Sequence, residues 1–252
     1  MKKNIVNIII VFLIIFIFIN VFKIFIYFYN TNKSKETFEN LSASVHNEPL
    51  ENKEKPIDND KNDNTEIDNI NHMLEQNEDM LGWIYIDKTT IDYPVMNSDK
   101  YLYKDFNGNY SISGTPFVDK IPNINNGANI NIIHGHNMNN GTMFNPLLNY
   151  LDEDFFNNHK NIKFYTKDTE KLYEVYAVIS LDVSKPQDVK FYDKINIEDD
   201  EDFKKYIKEI DKKAILKSNN LLENKRDIIA LSTCDNYKDE NRIVVLAIEK
   251  KS

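Results

Sequence analysis

The sequence predicts a mostly β architecture, a closed or nearly closed barrel, set behind an N-terminal membrane-spanning helix. Three observations carry that prediction. About eight apolar runs follow residue 80, mostly short and bounded by Asn, Asp, Gly or Pro, which is the spacing of small all-β barrels. Residues 5–22 are almost wholly Ile, Val, Phe and Leu, broken only by Asn7 and Asn20, and about 20 apolar residues suffice to cross a bilayer core. Two segments with helical periodicity interrupt the strands.

The membrane segment comes first. Lys2 and Lys3 precede it, which also fits the start of a cleavable signal peptide, but no small-x-small cleavage site follows and the chain continues apolar to Tyr29. The reading is an uncleaved anchor over residues 1–29, crossing the membrane once. The N-terminal lysines favour a cytoplasmic N-terminus with the rest of the chain outside, although Lys23, Lys33 and Lys35 on the far side oppose that bias. Residues 30–64 are rich in Asn, Lys, Glu, Asp and Ser and carry Pro49 and Pro56, a composition expected to form a flexible polar stalk.

Residues 65–252 form the expected folded domain. Thr65 reads as a helix N-cap, and Ile67, Ile70, Met73 and Leu74 recur at helical spacing up to about Asp79. Strands are expected at residues 83–86, 90–95, 115–118, 129–133, 162–165, 172–183, 228–231 and 243–249. A short helix is expected over 142–151. A longer one covers 199–213, where Phe203, Tyr206, Ile207 and Ile210 make one stripe and acidic residues 198–202 suit the start of a helix dipole.

All 40 acidic residues but only 28 of the 31 basic ones follow position 29, leaving that part of the chain at −12. Such a surface disfavours nucleic acid and anionic lipid as partners of its bulk. A single cysteine, Cys234, excludes an internal disulfide, so the thiol is packing, an intermolecular link or a reactive group. An unperturbed thiol with a pKa of about 8.5 is only about 3% ionised at pH 7, so a reactive one needs a proton acceptor or a positive charge beside it.

His46, His72 and His159 read as solvated or structural. His134 and His136 differ, because they follow the apolar residues Ile132 and Ile133 at a strand end, where a rigid element presents side chains. A zinc site is disfavoured, because no further ligand accompanies them at suitable spacing. Arg242 opens the apolar run after Cys234. If the runs flanking Cys234 and Arg242 are antiparallel neighbours, thiol and guanidinium lie side by side, and an imidazole at a third strand end would complete a set competent for acyl transfer. On spacing alone, a buried cysteine beside a surface arginine remains equally open.

Several segments, in this order, resemble class B sortases: Gly82-Trp83-Ile84 before Tyr93-Pro94-Val95, Gly135-His136-Asn137-Met138 followed by Gly141-Thr142-Met143-Phe144, and Leu231-Ser232-Thr233-Cys234 with Arg242 beyond. The likeness runs from about Ile67 to the C-terminus. It implies an eight-stranded sortase-type barrel and a membrane-anchored cysteine transpeptidase of Gram-positive bacteria. In that scheme Cys234 attacks the Thr carbonyl of a C-terminal Asn-Pro-x-Thr-type sorting motif on a secreted protein. A peptidoglycan precursor amine then takes the acyl group, with His136 as acid/base and Arg242 steadying substrate and oxyanion. No cofactor or metal is implied. Thr233 and His134 are candidate substrate contacts, the alternatives being packing for Thr233 and simple replacement of a Tyr common in the family for His134. Ala230 stands where the family commonly has Thr. An exported cysteine peptidase or amidase using water as acceptor, or a non-catalytic binding module, would fit the same residues.

Overall fold

The computed structural model describes residues 2–46, 63–121, 128–220, 224–235 and 240–250. Helix α1 (Lys2–His46) is followed by α2 (Asp63–Gln76), then strands β1 (Met80–Tyr85), β2 (Asp92–Met96), β3 (Phe117–Val118) and β4 (Ala128–His134). A 3-10 helix (Asn145–Leu151) and α3 (Glu153–Asn158) lead into β5 (Asn161–Thr166) and the long β6 (Thr169–Asp182). Helix α4 (Pro186–Val189), β7 (Asn196–Ile197), α5 (Asp200–Lys213) and β8 (Ala214–Lys217) precede β9 (Ile228–Cys234) and β10 (Asn241–Glu249).

Neighbouring strands run β10-β9-β4-β3-β2-β1-β5-β6, and β6 pairs with β10 to close the ring. These are the eight strands expected from sequence. Most pairs are antiparallel; β2–β3 and β4–β9 are parallel. Two short strands lie outside the ring, β7 on β4 and β8 on β6. Neither has the length or apolar character to stand out in the sequence.

Strands β9 and β10 read as unbroken apolar runs because both of their faces are covered. Alternate residues Ile229, Leu231, Ile243, Val245 and Ala247 point into the barrel, where Phe144, Leu147 and Tyr173 meet them. The intervening Ile228, Ala230, Val244, Leu246 and Ile248 lie under Phe203, Tyr206, Ile207 and Ile210 of α5. Asp199 caps α5 by accepting from the Asp202 amide at 2.8 Å, and the helix has acidic residues in its first turn and Lys212 and Lys213 in its last.

Three departures from expectation matter most. Helix α2 begins at Asp63, so Thr65 lies within it. Thr142 and Met143 stay outside the 3-10 helix, because Met143 takes φ 56° and gives its amide to the Tyr93 hydroxyl at 3.0 Å. The largest difference is the segment expected as a flexible stalk: residues 30–46 continue α1 and pack on the domain. Thr31, Ser34, Phe38 and Val45 are buried at helical spacing, a stripe whose sparse apolar content hid it in a polar composition. The rest of that segment lies outside the described residues.

That docking is polar as well as apolar. Phe38 meets the Tyr93 ring edge-on, with centroids 5.4 Å apart. Asp92 accepts from Trp83 Nε1 at 2.6 Å and from the Ser42 hydroxyl, and faces His46 Nε2 at 3.1 Å. His46 Nδ1 lies 2.8 Å from Glu66, whose other oxygen accepts from Tyr165 at 2.8 Å. His46, read from sequence as solvated, ties α1 to α2 and the barrel. The apolar side chains of α1 described between Ile5 and Phe28 are nearly all exposed, and α1 is the one described helix long and apolar enough to cross a membrane.

Candidate active site

Two strand pairings build the site. In the antiparallel β9–β10 ladder Arg242 is the direct partner of Cys234, so both side chains leave the same face of the sheet. In the parallel β4–β9 ladder His134 is level with Ser232. Beyond that pair the two chains stay together: the Gly135 amide donates to Ser232 O at 3.1 Å, and Thr233 Oγ1 donates to Gly135 O at 2.9 Å. Asn137 Nδ2 then donates to Cys234 O at 3.0 Å. His136 therefore leaves β4 beside the end of β9 where Cys234 sits.

Glycine is required at position 135 by packing. A Cβ there would lie 2.6 Å from the Phe144 ring, which covers the turn while the Phe144 amide bonds His136 O at 2.9 Å. The two Gly-containing motifs of the sequence are thus halves of one clamp. Asn145 closes it by donating to Asn137 Oδ1 at 2.7 Å.

His136 is held from the other side by the 3-10 helix Asp99–Tyr103. Its Nε2 is 2.8 Å from Leu102 O, and its ring lies 5.3 Å from that of Tyr103. A carbonyl can only accept, so Nε2 carries the proton and, in the neutral ring, Nδ1 keeps the lone pair. Burial lowers the His136 pKa below its ordinary value, and the bond to Leu102 works against that shift.

His134 is sandwiched between Phe117 and Tyr192, with ring centroids 5.5 and 5.4 Å away. Burial lowers its pKa; Asp119 opposes the shift and the positive charge of Arg242 adds to it. Tyr192 itself donates to or accepts from Ser232 Oγ at 2.9 Å. Its phenol is raised first by burial, and it feels Arg242 and Cys234 as well, which sets it against the same face. Arg242 donates from one terminal nitrogen to Asn241 O at 3.0 Å. Thr233 is buried with its hydroxyl committed to Gly135 O, while Cys234 is half-buried.

The structure thus gathers Cys234, Arg242, His136, His134 and Thr233 at one set of strand ends. Sequence reasoning missed Leu102, Tyr103 and Tyr192, which lie in the short 3-10 helices Asp99–Tyr103 and Lys190–Asp193, too brief to give a periodic or motif signal.

A thiol, an imidazole with a defined tautomer and a guanidinium at adjoining strand ends of an eight-stranded barrel are the groups that cysteine acyl transfer requires. A sortase domain matches residues 84–250. Sortase B of Listeria monocytogenes is 33% identical over 184 residues, covering 71% of this chain and 72% of that protein. Sortase B of Staphylococcus aureus is 31% identical over 176 residues, 68% and 70% of the two chains. Among solved structures, a mutant form of Clostridium perfringens sortase B superposes with a TM-score of 0.71 at 29% identity, covering 86% of this chain and 98% of that one. A Staphylococcus aureus sortase B–substrate complex gives 0.70 at 25%, covering 88% and 98%. The chain belongs to the sortase family of cysteine transpeptidases, in its class B.

Proposed function

We propose that this sortase is held in the membrane by the apolar part of α1, N-terminus inside and barrel outside. There it joins secreted proteins bearing an Asn-Pro-x-Thr-type C-terminal motif to a peptidoglycan precursor amine of the cell wall. Cys234 Sγ attacks the Thr carbonyl as His136 takes the thiol proton. The tetrahedral intermediate collapses as His136 protonates the leaving amine, leaving a thioester. The acceptor amine attacks that thioester and gives up a proton, and the new amide forms as the Cys234 thiol is regenerated. Arg242 holds the motif backbone and the developing oxyanion with its planar donor fork. His134 lines the approach as a substrate contact, while Thr233, buried with its hydroxyl on Gly135 O, holds the His136 turn against β9.

The observation that carries this reading is the direct pairing of Cys234 with Arg242, beside the Gly135–Thr233 and Asn137–Cys234 bonds that bring His136 to the same strand end. Incubating the protein with an Asn-Pro-x-Thr peptide and an amine, and separating products by mass spectrometry, tests it. Ligated peptide is expected from the wild type and none from Cys234→Ala. Hydrolysed peptide alone, in excess amine, would favour water as the acceptor; equal activity of the alanine variant would reject the thiol mechanism.

A further inference from the structure

We propose that residues 102–116, the end of the 3-10 helix Asp99–Tyr103 and the loop that leads from it to β3, rest on the lipid bilayer, with Tyr110 inserted among the headgroups. The proposal rests on the membrane reading of α1, and its argument is one of distance along that helix. The apolar segment ends at Tyr29, and Tyr27 and Tyr29 are the kind of residues that mark a membrane boundary. The domain begins to cover α1 immediately beyond it: Thr31 is only 2% exposed and Ser34 is buried.

Ser34 is five residues past Tyr29, a rise of about 7.5 Å along the axis. A headgroup layer is about 5–8 Å thick on each side of the hydrocarbon core. Whatever packs on Ser34 therefore sits at headgroup height, and side chains on this helix lean further toward its N-terminus and the membrane. The group that packs there is Ser111, its hydroxyl 2.7 Å from that of Ser34.

Tyr110, the residue before Ser111, is 72% exposed, and Tyr103, whose carbonyl accepts from the Ser111 amide at 3.0 Å, is 51% exposed. Tyr103, Tyr110 and partly exposed Leu102 put three large apolar side chains on this one segment. Among the described residues the other exposed large apolar side chains of the domain, Ile121, Leu151, Val189 and Ile215, fall in separate segments. Aromatic rings with a polar tip suit the interface, and this contact does not need anionic lipid, which the acidic domain would repel. The 3-10 helix at the start of this segment supplies the Leu102 carbonyl and the Tyr103 ring to His136, so the active-site imidazole is held by a segment that touches the membrane.

The test uses the full chain in phosphatidylcholine nanodiscs, with or without bromine on the acyl chains near the headgroups. Trp83 is the only tryptophan and is buried, so the unsubstituted chain gives the background. Tyr110→Trp should lose emission on the brominated lipid, and Ile215→Trp on β8 should not. Phe18→Trp, inside the apolar segment, reports the anchor itself. Quenching of Phe18→Trp without quenching of Tyr110→Trp overturns this proposal and leaves the anchor standing. Loss of quenching at both positions overturns both, and equal quenching at Ile215 and Tyr110 overturns the specific contact. Thermal melts of the three variants check that each is folded.

Discussion

The side-chain nitrogen of Asn137 donates to the backbone carbonyl of Cys234 at 3.0 Å, so the residue after His136 is bonded to the backbone of the proposed nucleophile. Asn145 fixes that amide by donating to its oxygen at 2.7 Å. Asn137→Ala should lower kcat/KM about tenfold, the worth of about 1.4 kcal/mol for one positioning hydrogen bond. Asn137→Asp should be worse, since it sets a carboxylate oxygen against the Cys234 carbonyl. Ligation kinetics alongside melting temperatures check this; turnover at the wild-type level in both variants would remove the positioning role.

Arg242 faces the same side of the β9–β10 ladder as Cys234. Arg242→Lys keeps the charge but loses the fork, and kcat should fall by about 100-fold, as for other donors aimed at a developing oxyanion. The loss should appear mainly in kcat. A loss confined to KM would mean that the guanidinium binds the motif without stabilising the transition state.

The barrel was legible because each of its eight strands carries its own local signal, and because β9 and β10, covered on both faces, read as continuous apolar runs. Cys234, Arg242 and His136 were legible as chemistry-bearing residues at strand ends. The docking of residues 30–46 was not, because Thr31 and Ser34 are polar and its large apolar contact comes from just Phe38, Leu41 and Val45, scattered through a polar segment. Nor were Leu102 and Tyr192: one acts through a backbone carbonyl, which any residue type possesses, and the other reaches the site from the 3-10 helix Lys190–Asp193, too short to give a periodic signal. Local patterning reports what a residue does for its own element and says little about what it does for a distant one.

Asp92 gathers three partners from α1 and β1, namely Ser42, His46 and Trp83. Asp92→Ala should destabilise the domain by about 2 kcal/mol, below the range for a fully buried broken pair because these groups retain some contact with water. It should also free residues 30–46 to proteolysis. Urea unfolding followed through Trp83 emission, with limited digestion of the folded protein, checks both; an unchanged midpoint would mean that apolar contacts alone hold α1 in place.

The Leu102 carbonyl that orients His136 depends on a glycine twelve residues further on. Gly114 has φ 58°, and a Cβ there would lie 2.3 Å from Leu102 O. Gly114→Ala should therefore push that carbonyl off Nε2. Burial already holds the His136 pKa below its ordinary 6.5, and the Leu102 bond partly offsets this, so losing the bond should lower the pKa further. The sign for stability follows. Below pH 6.5 and down to the folded-state value the unfolded chain binds the proton more readily, so this histidine contributes stability above pH 6.5 that is lost as pH falls through that window. NMR titration of the His136 ring proton, assigned by its loss in His136→Gln, should give a midpoint below 6.5 in the wild type and a lower one in Gly114→Ala. The acid limb of the activity profile should move the same way. A midpoint unmoved by Gly114→Ala would mean that the Leu102 bond does not tune the imidazole, and an upward shift would mean that the variant opens the site to water.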